Sequence, residues 1–63
     1  MIITDIDEAL RIVHERYPTA YREGSIFDWS FWVGDKVVAT AIMNRCAKIN
    51  KWELTIFDTP REA

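Results

Sequence analysis

From Asp5 to Tyr17 the apolar positions Ile6, Ala9, Leu10, Val13 and Tyr17 fall at i, i+3, i+4, i+7 and i+11. That spacing gathers them into one stripe of an α-helix. Thr4 or Asp5 is placed to cap its N-terminus, and Asp5 with Glu8 has the spacing of a capping box. Arg11 and Glu15 stand four apart on the outer face, suited to an ion pair. Pro18 disfavours helical geometry in the residue before it, so the helix is expected to stop at Tyr17.

Residues 19–25 read as a connection, in which Gly24 permits an unusual backbone angle. Two strand-like runs follow, separated by Gly34-Asp35, a pair suited to a type II′ hairpin turn. A two-residue loop sets Val33 opposite Lys36, and the simplest register follows from that pair. One face then carries Phe27, Trp29, Phe31 and Val33, with Val38, Thr40 and Ile42 across from them. It is the bulkier face and the one expected under the helix. The other carries Ile26, Asp28, Ser30 and Trp32, facing Met43, Ala41, Ala39 and Val37. A solvated sheet face alternates apolar with polar residues more cleanly than this second face does. Something is therefore expected to cover it.

A third strand, Lys51 to Asp58, places Trp52, Leu54 and Ile56 on one side and Glu53, Thr55 and Phe57 on the other. Its parity depends on the loop near Lys48 to Asn50; packing favours Trp52, Leu54 and Ile56 under the helix. Thr59 to Ala63, with Pro60, reads as a short polar tail, and Met1 to Thr4 can supply a short edge strand. The expected fold is α+β: one N-terminal helix on a three-stranded antiparallel meander, in two layers, forming a single domain over 1–58. In the order of its elements this plan resembles PepSY-type small domains, and no motif assigns the chain to a family.

At 63 residues, one domain is the limit, and a small core leaves its stability marginal. Cys46 is the only cysteine, which excludes an intrachain disulfide framework and fits a reducing cytoplasm. MIITDIDEAL lacks the basic and apolar regions of a signal peptide, and no apolar run is long enough to cross a bilayer. Packing and self-association remain as sources of stability. The net charge of −2 names no partner. Asp5, Asp7 and Glu8 crowd the start of the chain, while Arg45, Lys48 and Lys51 follow without an intervening acid; dipole compensation and a solvated loop explain both clusters.

Catalysis finds little support. His14 and Cys46 are the only imidazole and thiol, read as a boundary histidine and a structural cysteine. Asp7 and His14 are seven apart, too far for a compact metal clamp, and no CxxC accompanies them. Gly24 and Gly34 are isolated, so no phosphate-cradling loop exists. No cofactor or metal is expected, and the chain reads as a non-enzyme.

The expected function is protein binding through the second sheet face, in the first instance binding of a second copy. The residues expected to line that surface are Trp32, Asp28, Ser30, Val37, Ala39, Ala41, Met43 and Arg45. Size, acidity and aromatic content resemble the small accessory proteins of phages and mobile elements, which often occupy a host protein as inhibitors or adaptors. Two alternatives stand beside this. A small aromatic or nucleotide-like ligand could stack on Trp32 between subunits. Single-stranded nucleic acid could use Trp32 with Arg45, Lys48 and Lys51, although the negative charge opposes it. No membrane association is expected.

Overall fold

A single helix lies across one face of a five-stranded antiparallel sheet in the computed structural model, which describes residues 1–24, 28–43 and 51–62. The elements run β1 (Ile2–Ile3), α1 (Ile6–Arg16), β2 (Tyr21–Gly24), β3 (Asp28–Val33), β4 (Lys36–Met43) and β5 (Trp52–Glu62). Their order in the sheet is β1-β5-β4-β3-β2. The class is α+β, as the sequence suggests, and β3, β4 and β5 are the expected meander. The sheet is larger than expected, however, because a strand is added at each edge.

The helix follows its sequence signals closely. Asp5 is the N-cap and accepts from the Asp7 amide at 2.9 Å. Tyr17 ends the helix at φ −126°, ψ 82°, non-helical backbone directly before Pro18. Two surface details differ. The Glu8 carboxylate pairs with Arg11 at 3.6 Å rather than closing a capping box, so Arg11 is drawn one turn back and not toward Glu15.

Two corrections and one agreement concern the sheet. Tyr21–Gly24 is a strand paired with β3, not part of a connection. Ile2 and Ile3 form the short edge strand that Met1 to Thr4 can supply, paired with Glu53 and Trp52 at the opposite edge. The expected tail is strand as far as Glu62, with Arg61 opposite Val37 and Glu62 opposite Lys36. In all three, pairing with a distant strand, rather than local apolar pattern, creates the element.

The most consequential difference is one of register. The turn is as expected: Gly34 has φ 62°, Asp35 has no positive φ, and Val33 pairs with Lys36, which fits a type II′ turn. Trp32 then pairs with Val37, but Phe31 pairs with Ala39, leaving Val38 as an extra residue on β4. This β-bulge breaks the alternation, so Val38 and Ala39 are both fully buried. Every later β4 residue changes face. Ala39, Ala41 and Met43 join the inner face, while Thr40 and Ile42 turn outward, the reverse of the simple register.

The bulge makes physical sense. It exchanges a buried threonine hydroxyl for alanines, which let the helix approach closely, at the cost of leaving Ile42 54% exposed. The core comprises Ala9 and Val13 of the helix, Phe31, Val38, Ala39, Ala41 and Leu54 of the sheet, with Ile3 and Ala20 at its margins. Ile6, Leu10, Tyr17, Trp29, Trp52 and Ile56 pack around it, so β5 does turn Trp52, Leu54 and Ile56 toward the helix. Phe27, expected in this core, and Ile26, expected opposite it, lie outside the described residues.

Candidate functional site

The helix covers one sheet face, and among the described residues nothing covers the other. Its composition follows from the bulged register in three rows of side chains running across the strands. At the hairpin end Tyr21, Trp32, Val37 and Arg61 are cross-strand neighbours. The middle row is Glu23, Ser30, Thr40 and Thr55. The third is Asp28, Ile42, Glu53 and Ile2.

Aromatic and apolar groups concentrate in the first row. Trp32 is half-buried and Tyr21 is 47% exposed, its hydroxyl donating to the Gly34 carbonyl at 3.0 Å. β5 brings Phe57 alongside. Ile56 pairs with Ala39 and Arg61 with Val37, so five steps of β5 stand against two of β4. The slack draws Arg61 back over Phe57, with the guanidinium carbon 4.0 Å from the ring centroid. Trp32, Tyr21, Val37 and the Phe57–Arg61 stack thus form one aromatic end, the middle row is hydroxylic, and acids flank Ile42 and Ile2 at the far end.

The sequence-derived residues divide accordingly. Trp32, Asp28, Ser30 and Val37 lie on the open face. Ala39 and Ala41 are fully buried beneath the helix, and Met43 shares their inner side with Trp52, so none of the three contributes to the outer surface; the bulge at Val38 moved them. Arg45 lies outside the described residues, as do Cys46 and Lys48. Sequence reasoning missed Tyr21, Thr40, Thr55, Phe57 and Arg61, whose placement depends on β2, on the bulge and on the β5 irregularity.

The sheet edges are less available than the face. β1 and β2 are only two and four residues long, too short to template much pairing. Where β5 runs beyond β1, the helix end occupies its carbonyls: Tyr17 Oη donates to Phe57 O at 2.6 Å and Arg16 Nη2 to Asp58 O at 2.9 Å. Pro60, two residues on, has no amide hydrogen to offer.

No cluster of metal-ligating side chains occurs among the described residues, and no cleft opens among them. His14 Nε2 lies 2.7 Å from the Ala20 carbonyl, tying the helix to the start of β2. Arg22 similarly spans the gap between layers, bonding Asp7 at 2.9 Å while stacking 4.7 Å from the Trp29 ring. Both are accounted for as structural contacts. Trp52 Nε1 is buried without a hydrogen-bond partner among the described residues.

Comparison of the chain with protein-family models, curated proteins and solved structures finds no match.

Proposed function

We propose that this protein is a non-enzymatic protein-binding module whose contact surface is the open sheet face centred on Trp32, and that a second copy of the chain is its first partner. One observation carries this: among the described residues the helix covers the opposite face and nothing covers the face on which Trp32, Tyr21, Val37 and Phe57 are contiguous. Aromatic anchors amid small hydroxylic side chains, with charge at the margins, match the composition of interface cores. A flat surface without a cleft suits a macromolecular partner better than a small ligand. Asp28, Glu23 and Glu53 on the same face would repel a phosphate backbone, which sets nucleic acid behind protein. An inhibitor or adaptor role toward a host protein would use this surface too.

Trp32→Asp tests the proposal. A charge placed in the aromatic row would be desolvated without a partner on association, while Phe31 and the helix side remain undisturbed. Circular dichroism is expected to match wild type, and sedimentation velocity to show loss of the associated species. A folded variant that associates as the wild type does would remove the face from consideration.

A further inference from the structure

We infer that residues 59–62, the end of β5, form a strap that opens and closes on β4 while the rest of the fold stays intact. Closed, the strap lays Arg61 over the Phe57 ring and covers the edge of β4 at Val37. Open, it uncovers both.

β5 runs in register with β4 from Trp52 to Ile56 and then leaves the ladder. Phe57, Asp58, Thr59 and Pro60 stand opposite Val38 alone before Arg61 and Glu62 pair with Val37 and Lys36. The two-residue turn commits the amide and carbonyl of Lys36 to Val33, so those of Val37 point the other way, toward Arg61. One backbone-bonded pair thus returns the segment to the sheet. Pro60 has no amide hydrogen with which to add to it.

The strap lies outside the core. Residues 58–62 are all exposed, and the core contacts of β5 come from Trp52, Leu54 and Ile56. Glu62 meets Lys36 at 3.3 Å, but their side chains are 89% and 44% exposed, so solvent screens the pair. One pair of ladder bonds, a screened ion pair and the Arg61 stack are set against the entropy of ordering four residues. The opposing contributions are of similar size, so both states are populated. Tyr17 Oη holds the Phe57 carbonyl at 2.6 Å and Arg16 Nη2 holds that of Asp58 at 2.9 Å. These two anchors stop the opening from running back along β5 into the core.

Opening changes the outer face at its aromatic end. Among the described residues Arg61 is the cation of the three rows, whose other charged members are Glu23, Asp28 and Glu53. With the strap open, Phe57 loses its cover and joins Trp32 and Tyr21 as bare aromatic surface. For a partner of this face the strap is a gate; that consequence rests on the face being a contact surface, whereas the opening itself does not.

Amide hydrogen exchange of the full chain, followed by NMR, tests the strap. Leu54 exchanges both of its backbone bonds with Met1, so Thr55 turns its own toward Thr40. Val37 and Thr40 therefore both aim their amides at β5, one at the strap and the other at the strand before it. Val37 is expected to exchange at least about tenfold faster than Thr40. Glu62→Lys sets like charges opposite each other at the end of the strap and is expected to speed Val37 by a further factor of about three or more, with Thr40 unmoved. The same variant should shrink the upfield ring-current shift of the Arg61 side-chain protons as they leave Phe57. Equal rates at Val37 and Thr40, rising together in Glu62→Lys, would make the segment part of the global fold and overturn the strap. Faster exchange at Val37 with the Arg61 shift unchanged would overturn the gate over Phe57.

Discussion

Gly24 has φ 144°, and a Cβ there would collide with the carbonyl oxygen of Asp28 and approach the Trp29 Cα at 3.0 Å. The obstruction is backbone, which cannot swing aside as a side chain can. Gly24→Ala is therefore expected to cost about 1–3 kcal/mol from backbone strain and displacement of β2, measured by urea denaturation. An unchanged midpoint would mean that β2 does not close on β3 as described. Phe31 and Leu10 differ instructively. Phe31 is fully buried, and truncating it to Ala should cost about 3–5 kcal/mol, comparable to the whole stability available to a chain of this size. Leu10 lies at the margin of the core, so Leu10→Ala should cost about 2 kcal/mol, the low end for leucine truncations. Thermal melts of the two variants check the order. A Leu10→Ala variant less stable than Phe31→Ala would place the helix on a different stripe. Both residues stand out in the sequence as apolar, yet their unequal burial depends on how the helix sits over the sheet.

At the scale of elements, the helix and the hairpin turn are legible because their signals are local. Asp5, the i, i+3, i+4 stripe and Pro18 bound the helix, and Gly34-Asp35 fixes its own turn geometry. The inner side of β5 was also legible, since Trp52, Leu54 and Ile56 are its bulky set. The bulge was not. Val37-Val38-Ala39-Thr40-Ala41 contains no glycine or proline to mark an irregularity, and both registers give an acceptable alternation until the helix is packed against them. Four of the eight expected contact residues kept their face: Trp32, Asp28 and Ser30 belong to β3, which carries no extra residue, and Val37 lies between the turn and the bulge. Ala39, Ala41 and Met43 lie beyond it and changed. Aspartate substitutions separate the registers directly. Ala39→Asp buries a carboxylate and is expected to prevent folding. Thr40→Asp faces outward, where surface substitutions usually shift stability by only about 0.5 kcal/mol. Far-ultraviolet circular dichroism of the pair reads the outcome: a folded Ala39→Asp with an unfolded Thr40→Asp would restore the unbulged sheet.

At the scale of the whole molecule, the two layers leave one sheet face without cover among the described residues. The sheet edges are short or occupied by Tyr17, Arg16 and Pro60, whereas the outer face carries an aromatic row and opposed charges. A chain of 63 residues has little core to spare, and covering that face in a dimer would add stability by mass action. Dilution is accordingly expected to lower the melting temperature. The most direct measurement is sedimentation equilibrium of the wild-type chain from low micromolar to near-millimolar concentration. The expected mass rises from that of the 7.4 kDa chain toward twice that value as protein concentration increases. A single 7.4 kDa species across the full range would contradict the account.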